Sequence, residues 1–242
     1  MTDQNHSAER ARRTALRSLA ALGTLPLSAR LARAAQPIHA DASTVACVLV
    51  PAMTEGPFFV DAALERSDLR TDTANPGVRQ AVPLDLTIRA VNVREGCGPL
   101  PGMQIDIWHT DALGRYSGIE DQRGENFCRA HQSTDAAGAT LFRTVYPGWY
   151  PGRTIHIHVK ARRFDARRRR TYEFTTQIFF PEALNDAVMA LPPYDSRGPR
   201  TTRNARDGIY GDATRLITQA AMRSDGTRAI TAAITLGLDL RA

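Results

Sequence analysis

Tyr146-Pro-Gly-Trp-Tyr-Pro-Gly-Arg-Thr-Ile-His-Ile-His158 divides into a loop punctuated by two Pro-Gly pairs and the beginning of a β-strand. The strand reading comes from Thr154, Ile155, Ile157 and Val159, β-branched residues that suit a pleated, half-buried surface. Side chains two apart on a strand share a face and stand roughly 6.5–7 Å apart along it. His156 and His158 therefore point one way, and Ile155, Ile157 and Val159 the other. Two imidazoles so placed can close on one metal ion. The loop brings Tyr150 and Arg153, a phenol and a guanidinium, beside them.

The rest of the chain repeats the strand pattern. Leu84, Leu86, Ile88 and Ala90 alternate with Asp85, Thr87, Arg89 and Val91, the period of a half-buried strand. Further strands are expected over 103–108, 140–145 (after the turn signal Asp135-Ala-Ala-Gly138), 154–162, 172–180 and 230–240. A short helix is expected over 184–191. Several short strands with few helical periods predict an all-β fold, an antiparallel β-sandwich with an irregular N-terminal arm and long loops. Residues 36–80, rich in turn signals such as Thr54-Glu-Gly-Pro-Phe-Phe59 and Asn75-Pro-Gly77, read as a linker and that arm. Residues 81–242 read as the core and a C-terminal extension.

Residues 1–35 stand apart. Arg12-Arg13 precede the apolar run 19–27, and Ala32-Arg-Ala34 resembles a cleavage site, the pattern of a twin-arginine-type export signal. The expected location is therefore periplasmic or extracellular. The apolar run is too short to span a bilayer. Of the formal charge of +6, this segment holds six Arg against Asp3 and Glu9, or +4, which leaves +2 for the remainder. So small an excess does not point to nucleic acid. The run from Arg162 to Arg170 reads as a solvated hairpin tip. With Cys47, Cys97 and Cys128, an odd count leaves one thiol over, and Cys47–Cys97 is the expected pair.

Tyr116, in Gly114-Arg-Tyr-Ser-Gly118, is a second loop tyrosine that could reach the histidines. A phenol ionises near pH 10, so tyrosine ligates only a hard, strongly polarising cation. Ferric iron suits two imidazoles and two phenolates, whereas Zn²⁺ draws Cys, a third His or a carboxylate. On residues alone the set reads equally well as core tyrosines and paired strand histidines satisfied by hydrogen bonds. His109 and His131 read as structural hydrogen-bonders.

Three segments carry a resemblance to a known family: Thr54-Glu-Gly-Pro-Phe-Phe59, Asp106-Ile-Trp-His-Thr-Asp-Ala-Leu-Gly-Arg-Tyr-Ser117 and the opening stretch. Thr176-Gln-Ile-Phe-Phe180 follows at the expected distance. Over roughly residues 46–215 the chain resembles the intradiol ring-cleavage dioxygenases (protocatechuate 3,4-dioxygenase and catechol 1,2-dioxygenase), and most of all an exported subgroup. The resemblance implies a non-haem Fe(III) held by Tyr116, Tyr150, His156 and His158. It also implies a catalytic role for Tyr150 as a base and for Arg153 and Gln177 beside the ring. The implied substrates are a small aromatic diol and O2, the product a cis,cis-muconate, and a homo-oligomer is compatible with it.

Thr110 stands where the exported subgroup would have cysteine, and Cys128 where it would not. Trp149 and Arg115 are candidates for the pocket wall. Two other functions remain in view: a binding module with a vestigial metal site, and a two-His copper oxidase. The intact donor set speaks against the first, and two tyrosines without a third His or Cys against the second.

Overall fold

Pro83 opens the first strand, where its missing N–H costs no ladder bond, and β1 (Pro83–Asn92) then buries Leu84, Leu86, Ile88 and Ala90 as the alternation requires. The structure is a computed structural model that describes residues 48–72, 81–211 and 216–241. The expected export signal, Cys47 and the Asn75-Pro-Gly77 turn lie outside the described residues. Among the described residues no helix is long and apolar enough to cross a membrane.

The elements that follow are β2 (Gly98–Pro99), β3 (Gln104–Trp108), β4 (Arg129–Ser133), β5 (Ala139–Val145), β6 (His156–Phe164), β7 (Arg170–Phe179), α1 (Glu182–Met189), β8 (Gln219–Met222) and β9 (Ile230–Leu238). They form an all-β fold of two sheets. A five-stranded sheet runs β2-β1-β9-β8 with β5 also paired to β1, and a four-stranded sheet runs β4-β3-β6-β7. Ile105, Ile107, Ile157 and Val159 of the second sheet share one apolar core with Leu84, Leu86 and Ile88 of the first. Each such side chain contributes about 1.5–3 kcal/mol on burial.

One expectation is corrected: the sheets are not wholly antiparallel. β9 runs parallel to β1, from Leu84↔Ile230 to Asn92↔Leu238. Parallel neighbours need a long crossover. Here the whole second sheet lies between the two strands in sequence, so the last strand can return alongside the first in the same direction. Strands β2, β4 and β8 are not among the expected ones.

The face of β6 opposite the core is also buried. His156, His158, Lys160 and Arg162 are all at most 5% exposed, because the arm lies over them. Lys160 pairs with Glu55 and sits over the Phe59 ring, 3.8 Å from its centroid. Arg162 pairs with Asp61 at 2.7 Å and with Asp106 at 2.5 Å. Of the run expected as a solvated tip, Arg163 and residues 166–170 are exposed; Arg162 is a buried tie between arm and sheet. Cys97 is disulfide-bonded and Cys128 is a buried thiol.

Candidate metal centre

The loop 109–118 and the loop 146–153 lie against each other through close backbone approach. Gly114, at φ +72°, has room only for hydrogen: a Cβ there would overlap the Trp149 carbonyl and the Arg197 guanidinium. Thr110 Oγ1 donates to the Gly148 carbonyl at 2.8 Å, so the residue found in place of a cysteine ties the same two loops. This apposition brings Tyr116 to Tyr150, ring centroids 5.8 Å apart. Phe58 of the arm covers Tyr116 at 4.5 Å. Beneath, buried Arg129 donates to Ser117 Oγ at 2.9 Å and to the Phe58 carbonyl at 3.3 Å, joining β4, the Tyr116 loop and the arm.

Register then supplies the imidazoles. His156 and His158 share a face of β6, with Nε2 atoms 3.2 Å apart. Tyr116 Oη lies 3.4 Å and Tyr150 Oη 3.3 Å from His156 Nε2. All four residues expected as ligands are therefore brought to one point. His156 Nδ1 donates to the Thr154 carbonyl at 2.7 Å, which leaves its Nε2 lone pair facing the other donors. His158 is held by stacking on Trp108, at 4.8 Å and an interplanar angle of 10°.

Burial sets the protonation states. It lowers His156 to about 3, with help from the Arg153 charge, and holds His158 well below the ordinary imidazole value. Both rings are neutral at physiological pH, the form that ligates a metal. Burial also raises both phenols, Tyr116 further than Tyr150, so each keeps its proton until a cation displaces it. Among the described residues no three His, Cys, Asp or Glu side chains converge on a metal-sized site. The donors that do converge are two neutral imidazoles and two phenols. That set fits a hard, high-charge cation such as Fe(III) better than zinc.

Arg153 and Gln177, expected beside the ring, lie next to the imidazoles and to each other. Arg153 Nη1 is 3.3 Å from His156 Nε2, and its Nη2 donates to Gln177 Oε1 at 2.5 Å. Gln177 stands opposite His158 in the β6–β7 register and donates to the Thr54 carbonyl at 2.9 Å. Asp207 is not foreseen from the sequence: it accepts from Arg153 Nε at 2.8 Å. The only local sign of it in the sequence is Asp207-Gly208, a turn signal. His109 takes the structural role expected, its Nε2 2.8 Å from Thr144 Oγ1.

A cavity of about 260 Å³ adjoins Tyr116 and Tyr150, walled by Phe58, Arg115, Ile119 and Glu120. Arg115 is thus a wall residue as expected, though paired with Asp111 at 2.6 Å. Trp149 does not line this cavity; it is packed beneath Arg197, 4.5 Å from its ring centroid.

Two tyrosines and two histidines converging beside an arginine, on a fold of two sheets, form a donor set for a hard metal ion. A family model described as Dioxygenase matches residues 54–229, and the chain belongs to this family of intradiol ring-cleavage dioxygenases. It is similar to chlorocatechol 1,2-dioxygenase of Pseudomonas sp. (strain P51), with 30% identity over 47% of this chain and 50% of the relative. It is also similar to the protocatechuate 3,4-dioxygenase beta chain of Burkholderia cepacia, with 28% identity over 55% of this chain and 60% of the relative. The chain therefore spans half to three fifths of the length of these curated relatives. Among solved structures, an intradiol ring-cleavage dioxygenase from Tetranychus urticae superimposes with a TM-score of 0.68 at 26% identity, over 81% of this chain and 98% of that one.

Proposed function

We propose that this chain is an exported non-haem Fe(III) intradiol dioxygenase on a β-sandwich scaffold. It would open the ring of a catechol-type substrate between its two hydroxylated carbons, adding both atoms of O2 to give a cis,cis-muconate-type product. The observation that carries this reading is the convergence of Tyr116 Oη, Tyr150 Oη and His158 Nε2 on His156 Nε2, all within 3.2–3.4 Å. Nine consecutive residues, 150–158, supply three of the four donors and the arginine.

When bound, Fe(III) would supply a Lewis acid and electron acceptor that chelates a catecholate and makes its ring reactive toward O2. The chain's own residues perform the remaining work. Tyr150, the less buried of the two tyrosines, is the base that receives a catechol hydroxyl proton at its Oη as the substrate enters. Tyr116, buried under Phe58, stays in place. Arg153, with Nη1 turned toward the imidazoles, stabilises negative charge that grows on the ring. Gln177, fixed between Arg153 and the Thr54 carbonyl, holds that guanidinium and borders the same carbons. The arm over β6 and Phe58 over Tyr116 keep water from the donor side of the site.

The test is spectroscopic and then catalytic. Protein loaded with Fe(III) is expected to be wine-red from a tyrosinate charge-transfer band, which shifts when catechol is added without oxygen. Oxygen uptake should then match muconate formation one for one. A colourless iron-loaded protein would sink the proposal. The export reading has its own check: replacing Arg12 and Arg13 by lysine should retain the precursor in the cytoplasm.

A further inference from the structure

Asp207 lies in the polar segment between α1 and β8, some fifty residues from Arg153, yet its side chain is 0% exposed. It is saturated by donors. Oδ2 accepts from Arg153 Nε at 2.8 Å and from the Thr154 N–H at 2.7 Å, and Oδ1 accepts from the N–H groups of Ile209 at 2.7 Å and Tyr210 at 3.0 Å. Burial alone would raise the carboxyl's pKa; the backbone donors and the guanidinium outweigh it and hold the group below its ordinary range.

The segment that carries Asp207 is itself pinned. Asn204 N–H donates to Glu182 Oε1 at 2.5 Å, and Asn204 Nδ2 to the Phe180 carbonyl at 3.0 Å. Thr154 Oγ1 donates to Asn204 Oδ1 at 2.6 Å. Asp207 therefore reaches both the side chain of Arg153 and the backbone N–H of Thr154, the residue whose carbonyl, one peptide further on, orients His156. One polar chain runs Asp207–Arg153–Gln177–Thr54, from the C-terminal segment to the arm, with Arg153 Nη1 left facing the donors.

We propose that Asp207 is the positioning residue of the site: it fixes the Arg153 guanidinium through Nε and anchors the Thr154 N–H, one peptide before the carbonyl that sets the His156 tautomer. The proposal rests on the dioxygenase reading for its catalytic consequence, but the contact itself is readable without it. An aspartate is needed because every group facing the carboxylate is a donor. The substitution Asp207→Asn would turn an amide N–H toward two of them, and Asp207→Glu would bring a side chain too long for the enclosure.

The first measurement uses the wild-type protein without metal. The Nε–H of Arg153, assigned by its disappearance in Arg153→Ala, should be a resolved signal that exchanges slowly with solvent. Exchange as fast as that of an exposed arginine overturns the contact whatever the enzyme does. The second is a cycle on the iron-loaded enzyme. Asp207→Ala should lower kcat about 10–100-fold, the scale set by misplacing a catalytic group, with a smaller change in KM and the tyrosinate band retained. The double variant with Arg153→Ala should lose less than the product of the two single losses. Millimolar guanidinium should restore activity to Arg153→Ala and not to the double variant. Wild-type kcat in Asp207→Ala, additive losses in the cycle, or equal rescue of the double variant would each overturn the assignment. If Asp207→Ala does not fold, the exchange measurement decides alone. Absence of oxygen uptake by the wild type would count against the function and leave the Nε–H result standing.

Discussion

Gly114 and Gly152 allow the loop apposition at the centre to be tested against its own control. Both have positive φ, +72° and +86°, and both lie within two residues of a tyrosine of the site. Replacing either by alanine incurs the left-handed backbone penalty of about 1–2 kcal/mol. They differ in what the new methyl meets. At Gly152 there is nothing within 4 Å, whereas at Gly114 the Cβ falls on the Trp149 carbonyl and the end of Arg197. The arginine can swing aside; the carbonyl cannot move without moving Tyr150. Overpacking of this kind adds about 1–3 kcal/mol, so Gly114→Ala should cost about 2–5 kcal/mol in all. For a domain near 200 residues, each kcal/mol lowers Tm by about 2–4 °C. Gly152→Ala should therefore melt about 2–8 °C below wild type and bind Fe(III) with an unchanged visible band. Gly114→Ala should melt lower still and lose most of the band, because Tyr116 and Tyr150 no longer meet at His156. Thermal unfolding and titration with Fe(III), run on both variants, decide the matter. If the two variants are equal in Tm and in colour, the close approach at Gly114 does not set the tyrosine positions and the account of the site is wrong.

Tyr150→Phe and His156→Ala should each abolish the tyrosinate colour or turnover; full activity in either would remove that residue from the ligand set. His109, fully buried, is depressed by burial from 6.5 to about 4. The unfolded chain then takes up a proton first as pH falls, so the stability tied to neutral His109 is whole above pH 6.5 and lost on approaching pH 4. The loss reaches about 3 kcal/mol at 1.36 kcal/mol per unit. Urea midpoints of His109→Gln should accordingly fall less between pH 7 and 4 than those of wild type, and parallel curves would refute the shift. Arg162 has one buried carboxylate, Asp106, and one half-exposed, Asp61. Asp106→Ala should cost about 3–5 kcal/mol by stranding a buried charge, and Asp61→Ala about 0–1 kcal/mol. Equal costs in urea unfolding would show that Arg162 is not buried as described.

What is legible in the sequence follows the range of the interactions involved. The His156–His158 pair and the alternation of β1 are period-two signals, complete within a few residues, and both appear where the pattern puts them. The four donors are legible through the resemblance to a family, since residues alone leave them equally readable as core tyrosines and paired strand histidines. β4, Arg129-Ala-His-Gln-Ser133, and β8, Gln219-Ala-Ala-Met222, escape because neither alternates nor carries β-branched residues. They are strands through their partners β3 and β9. The parallel sense of β9 leaves no mark at all, since side-chain period is the same in either direction.

The polar face of β6 shows why such marks run out. A strand with Ile and Val on one face and His, Lys and Arg on the other reads as half-solvated, which puts Arg162 at a wet tip. The arm reverses this by bringing Glu55, Phe59 and Asp61 onto the face, so that its charges are buried and matched. The same logic hides Asp207. Its importance depends on a guanidinium fifty residues away and on the N–H of Thr154 just ahead of β6, neither of which alters its own neighbourhood in sequence. Both Asp207 and the arm act on residues of 146–162 that stand out in the sequence by themselves. The stretch 150–158 can be read locally because its polar groups lie close together in sequence. The groups that hold it in shape are free to come from anywhere the fold can reach, and here they come from segments on either side of it in sequence.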